Sequence, residues 1–544
     1  MRKVSILAVM VTLCDITGSH AQILSGSGMF ILHLVAKPAG KETYTLTSTS
    51  SGLRLQSHFE YLDRGTPVPL DFTFDCDSEF RPRALRIAGN STRFSALEES
   101  IAVQSHTVTV ERNQKTGTYT ATELFFLGDE NTHGALQELL LRYWNRHGRP
   151  SSLRVFPAGE VRIEPHGHTS INIAGRPVAL EAYTMSGLMW GEESLWLDGQ
   201  QRVAALVEPG QFEIVRDEYE GALPSFIRQG VVNSLEALTK LSGDKANPVR
   251  PKIAIVGGVL IDGIGGPPLP DAAIVIQDGR IVNVGRRSGV IVPKDALVVH
   301  AEGKTVVPGL WDMHAHYQHV EFGPVYLANG VTNARDRGNE IDFIPTIRNA
   351  LDAGMGIGPH IYFAGIVDGT GPRTMGAVVA DSPDEAAAVV NRYHVLGALQ
   401  IKIYSSVQPE LVPVITETAH RLGMTVTGHV PRNMDVFQAI PAGMDQINHI
   451  TYVLQGFLPP EQRSGFAQNP IQGVSTFDFK SPEVQREIAL LKDKGTVVDP
   501  TVALRELLAH PLTKPVREFE SGIDHLAPQL VDQIEQTVVS GETC

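Results

Sequence analysis

The chain has 544 residues, 42 % hydrophobic and 19 % charged, with a formal net charge of -14. That length allows two to four domains, and the composition is ordinary for a globular protein. The negative balance, with no long basic run, speaks against a nucleic-acid binder, which leaves a basic footprint.

Residues 1–21 read as a signal peptide. Arg2 and Lys3 give a basic start, residues 4–14 an apolar run, and Ser19-His20-Ala21 a small-residue cleavage site that leaves Gln22 first. The run is too short for a stable anchor, and no other stretch reaches transmembrane length. The expected location is exported, periplasmic or secreted, with no transmembrane segment after cleavage. Cys76 and Cys544 would then remain, too few for a disulfide framework.

Residues 28–230 predict an antiparallel β-rich domain with one helix. Leu53, Leu55, Phe59 and Tyr61 alternate with polar residues, as do Val68, Leu70, Phe72 and Phe74. Period two places one face of each strand on a core. The helix falls near residues 134–145, where Leu136, Leu139, Leu140 and Tyr143 share a stripe. His166-Gly167-His168 follows a proline and reads as a turn rather than a metal pair.

A polar linker, residues 242–251, leads into a small β domain at 252–307, expected to be a β-sandwich. Its strands are expected at 253–256, 259–261, 273–277 and 281–284, with Asp278-Gly279 as a two-residue hairpin turn. The glycines between 257 and 266 join strands rather than open a helix, so no phosphate loop is expected there.

From Val306 strand and helix signals alternate, the signature of a parallel sheet with helices outside. Strand candidates end near His316, Arg335, Ala364, Tyr404, His429, His449 and Thr501. Ser382-Pro383-Asp384-Glu385 starts one helix, and Gly423 closes another. Seven strands are countable where a closed (β/α)8 TIM-type barrel needs eight, so residues 308–544 read as a barrel lacking strand eight.

His314 and His316 stand at i and i+2 on one strand and so share a face. Lys402, His429 and His449 fall at later strand ends, where barrel active sites gather. Neutral imidazole suits zinc or similar ions. Lys402 has two readings, a barrel lysine paired with a carboxylate or a carbamate formed with CO2.

At these residues the chain resembles the amidohydrolase superfamily, and more narrowly its imidazolonepropionase-like and Xaa-Pro-dipeptidase-like members. The matching text is Val259-Leu-Ile-Asp262, Asp278-Gly-Arg-Ile-Val282, Val307-Pro-Gly-Leu-Trp-Asp-Met-His-Ala-His316, Gly330-Val-Thr-Asn-Ala-Arg-Asp336, Ile401-Lys-Ile-Tyr404 and Gly428-His429-Val430-Pro431. It covers about residues 252–544. The resemblance implies that His314, His316, carbamylated Lys402, His429 and His449 hold one or two divalent ions, expected to be zinc. It implies attack of a metal-bound hydroxide on an amide or related carbonyl, with Tyr404 and Arg335 as further catalytic candidates. The family's strand-eight aspartate is not found. Asp499 counts as strand seven and is not assigned, and Asp312 reads as a supporting residue.

The expected function is therefore hydrolysis of non-peptide carbon–nitrogen bonds or small dipeptides by a C-terminally truncated enzyme, whether a sequence fragment or a real truncation. The partner is a small-molecule amide or dipeptide, with oligomerisation left open. The rival reading is an exported ligand- or partner-binding protein with an inactive barrel, and behind it a structural fragment without activity.

Overall fold

The computed structural model describes residues 25–242 and 252–526, apart from 64, 94, 122, 372, 376, 377, 460–462, 464–476, 505–513 and 519, together with 531 and 534. The signal peptide, most of the polar linker and Cys544 lie outside the described residues. Among the described residues, no helix is long and apolar enough to cross a membrane.

The N-terminal half forms one sheet of fifteen strands, Gly26–Leu34 through Phe212–Arg216. The first strand lies mid-sheet, pairing antiparallel with both Lys37–Thr49 and Phe212–Arg216. The predicted alternation is what drives it. Leu53 faces Cys76, Leu55 faces Phe74 and Phe59 faces Leu70, all buried, while Arg54, Gln56, His58 and Glu60 point to water. Such cross-strand apolar pairs are the unit of sheet stability. The buried face packs around helix Gly134–Arg146, whose Leu136, Leu139, Leu140 and Tyr143 complete this core.

Four expectations need correction here. A second helix, Leu223–Ser242, follows the sheet where only one helix was expected. Its Phe226, Ile227, Val231 and Leu238 are buried in tertiary contacts made with residues on both sides of it in the sequence. His166-Gly167-His168 is a bulge inside strand Gly159–Ile173, not a turn, because Gly167 takes φ +79 and the register with Arg176–Ser186 slips between Pro165 and His168. His166 is engaged by Thr184 and Glu236 rather than by a metal set.

In residues 252–307 the third and fourth corrections apply. The strands expected at 253–256 and 259–261 are one strand, Lys252–Leu260, with register slips around Gly258. The expected β-sandwich is a single five-stranded sheet among the described residues. Ile281, Val282, Val284, Leu297, Val298 and Val299 are exposed, so no second layer of described residues covers them. The Asp278-Gly279 turn forms as expected, both residues at positive φ.

Seven parallel-type strands follow. Leu310–Ala315, Val331–Asp336, His360–Val367, Gln400–Ile403 and Thr425–Gly428 form one parallel sheet in chain order. Gln446–Asn448 and Val497–Asp499 pair parallel beside it. Arg337, on the loop after the second strand, donates to Gln400 at 2.6 Å, to Asn448 at 2.7 Å and to Thr427. One side chain reaching three later strands requires the sheet to curl toward a half-barrel. A closed eight-stranded barrel is not formed by the described strands.

The two halves share a core. Trp196, Ala204, Ala205, Val207 and Val215 on the outer face of the large sheet join helix Leu223–Ser242 and then Phe343, Ile344 and Ile347 of helix Phe343–Asp352 in one continuous cluster. Gly356 allows this approach, since a Cβ there would lie 2.3 Å from Leu238.

Candidate metal centre at the strand ends

His314 lies on the first parallel strand and His316 one residue past its end. Lys402 is on the fourth, and His429 and His449 directly follow the fifth and sixth. Curling brings all five together. Lys402 Nζ is 3.4 Å from His314 Nε2. Ring centroids are 5.7 Å apart for His314 and His316, 4.9 Å for His314 and His449, and 5.1 Å for His429 and His449. Lys402 is only 1 % exposed.

Every imidazole is held through the same nitrogen. Nδ1 of His314 meets Asp499 Oδ2 at 2.8 Å, and that of His316 meets the Gly338 carbonyl at 2.9 Å. Nδ1 of His429 meets Ser405 Oγ at 2.8 Å, and that of His449 meets Thr501 Oγ1 at 2.8 Å. Engaging Nδ1 assigns any metal ligation to Nε2, the usual arrangement around metal-binding histidines.

Electrostatics favour the same states. Burial holds the His314 imidazole below its ordinary pKa, opposed by the Asp499 hydrogen bond and reinforced by the Lys402 charge. Burial alone would raise Asp499, but the His314 hydrogen bond and the charges of Arg337 and Arg335 outweigh it and hold the carboxyl low.

Asp312 behaves as a supporting residue. It accepts the His314 backbone N–H and the Tyr326 hydroxyl, each at 3.0 Å. The Tyr404 ring lies 4.3 Å from that of His429. Arg335 bridges strands, donating to the Met313 carbonyl at 2.8 Å, Gln446 at 2.8 Å and Asp499 at 3.1 Å. The sequence reading missed Ser405, Gly338 and Thr501 and left Asp499 unassigned. The one signal available was Asp499 and Thr501 at i and i+2 on a strand end.

Donor type and tautomer fit a borderline divalent ion such as zinc. The side chains must still draw inward, because among the described residues no three His, Cys, Asp or Glu groups are arranged to hold a metal as they stand.

No family model matches the chain. The ochratoxinase of Aspergillus niger is 26 % identical over a stretch covering 37 % of this chain and 55 % of that protein. A dihydroorotase of Caldanaerobacter subterraneus is 41 % identical over 71 residues, 13 % of this chain and 15 % of its own length. Over these stretches the chain is similar to enzymes of the amidohydrolase superfamily. It spans about half the length, 55 %, of the curated ochratoxinase it matches. Solved amidohydrolase structures similar to it include an Xaa-Pro dipeptidase with bound methionine, 23 % identical, covering 53 % of this chain and 73 % of that one at a TM-score of 0.37. Molinate hydrolase is 20 % identical, with 53 % and 82 % covered at a TM-score of 0.37.

Proposed function

We propose that the chain is a metal-dependent hydrolase of non-peptide carbon–nitrogen bonds or small dipeptides. The observation that carries this reading is the group of four imidazoles, each pinned through Nδ1, around buried Lys402 at the ends of the first, fifth and sixth strands. The relatives support it, being hydrolases of the amidohydrolase superfamily. His314, His316, His429, His449 and a carbamylated Lys402 would hold one or two divalent ions. A divalent ion there supplies a Lewis acid and a water of lowered pKa. Around it, the chain's own groups set the geometry. Lys402, 1 % exposed, is the amine on which such a carbamate would form. Tyr404 and Arg335 flank the centre, and each can orient a substrate carbonyl or carboxylate.

The test uses the full chain loaded with Zn2+ or Co2+, with metal content read by mass spectrometry and hydrolysis read on a panel of N-acyl amino acids and dipeptides. Changing His429→Ala and His449→Ala together is expected to remove both bound metal and hydrolysis. Unchanged metal content and turnover in that variant overturn the proposal. Retention of a small molecule by a chain that never takes metal favours the binding-protein alternative.

A further inference from the structure

We propose that the seventh strand end, Asp499-Pro500-Thr501, positions two ligands that belong to other strands, by fixing the Nδ1–H tautomer of His314 and His449. This rests on the metal-centre reading above and assigns a task to a strand that carries none of the five candidate ligands.

The hydrogen bonds have a forced direction. An ionised carboxylate only accepts, so the 2.8 Å contact of Asp499 Oδ2 requires a proton on His314 Nδ1. Arg335, permanently charged, donates to the same oxygen at 3.1 Å and keeps it ionised. Thr501 reaches the same result by another route. Its hydroxyl has one proton, and Oγ1 donates it to the Pro500 carbonyl at 2.8 Å. The oxygen can then only accept from His449, so that ring too carries its proton on Nδ1.

The backbone holds these side chains in place at a cost. Thr501 sits at φ +50, where a β-branched residue is an outlier, and its partner His449 sits at φ +75. Pro500 between the two holders has a fixed φ. The bonds link residues 185 and 52 positions apart, so the seventh strand ties the first and the sixth to one centre. Such supporting contacts typically carry a ~10–100-fold effect on metal affinity.

The test has a readout that needs no metal. In the full chain labelled with 15N-histidine, two-bond proton–nitrogen spectra at neutral pH report which ring nitrogen carries the proton. His314 and His449 are expected as Nδ1–H. Asp499→Ala is expected to move His314 toward Nε2–H and leave His449 alone, and Thr501→Val to do the reverse. Each is expected to weaken Co2+ binding ~10–100-fold. Asp499→Asn keeps the shape but can donate to Nδ1, so it is expected to shift the tautomer like Asp499→Ala while the fold stays intact, which separates positioning from a folding defect. Nε2–H on either ring in the unaltered chain, or variants that shift neither tautomer, overturns the proposal. Nδ1–H on both rings in a chain that takes no Co2+ upholds the positioning and instead defeats the metal reading.

Discussion

Two helices of the parallel-strand half begin differently from the helix inside the β-rich half. In the parallel-strand half, Pro383–Val395 is capped by Ser382, which accepts the Glu385 N–H, and Pro482–Lys494 by Ser481, which accepts the Val484 N–H. In the β-rich half, helix Gly134–Arg146 has no side-chain cap from its N-cap residue, His133. Its Ala135 N–H is met at 3.3 Å by the carboxyl of Glu42, 93 positions earlier on a strand of the surrounding sheet. A cap encoded three residues away belongs to the helix, whereas a cap from another strand exists only once the sheet has closed around it. Helix Gly134–Arg146 therefore depends on assembly for what those two helices obtain locally, and the buried Glu42 shows the consequence. Burial raises the Glu42 carboxyl to about 7, against the Ser57 and Ala135 hydrogen bonds and the Arg216 charge.

The sharpest test of the contrast is the core that joins the halves. Phe226, fully buried and tilted against Trp196 with centroids 4.9 Å apart, sits on the helix between them. Phe226→Ala is expected to destabilise by about 3–5 kcal/mol and to lower one shared unfolding transition, followed by calorimetry. If the β-rich half alone shifts, the shared core does not couple the halves.

The next effect is pH dependence. A carboxyl whose folded pKa is raised binds more protons folded than unfolded, so its contribution is full below the unfolded value of about 4.3 and is lost as pH rises through about 7. Asp499, held low, has the opposite sign and contributes above the unfolded value, losing that as pH falls. Denaturant midpoints measured across this window should fall for the β-rich half as pH rises, by up to about 1.4 kcal/mol per pH unit from Glu42. Glu42→Gln, which keeps an acceptor, should reduce that slope, the rest coming from Glu99, Glu193 and Glu213, also raised by burial. An unaltered slope removes Glu42 from the account.

Smallest is the local cap. Ser382→Ala should cost about 1 kcal/mol and leave the pH profile as it was, measured by the same denaturant curves. A larger loss than that of Glu42→Gln at pH 5 would reverse the ranking of local and assembled caps.

Local pattern explains what was legible in the sequence. The strand ends carrying His316, Arg335, Tyr404, His429 and His449 stand out because short apolar runs stop there, a signal lying within a few residues. Helix Leu223–Ser242 was missed because it carries Val232 exposed and Asn233 buried, blurring its stripe, and its burial comes from two surfaces distant in sequence. The sandwich expectation failed because nothing among the described residues covers Val282 and Val299.

The sequence by itself determined which side chains stand at the strand ends and that they suit metal chemistry, because periodicity and capping act over one or two turns of chain. Only the tertiary structure decided which nitrogen each histidine presents, that Asp499 belongs to His314 rather than to no site, and that Glu42 caps a distant helix. Those outcomes depend on hydrogen-bond partners up to 185 residues apart, and no local pattern specifies which acceptor the curl of a sheet will bring within 3 Å.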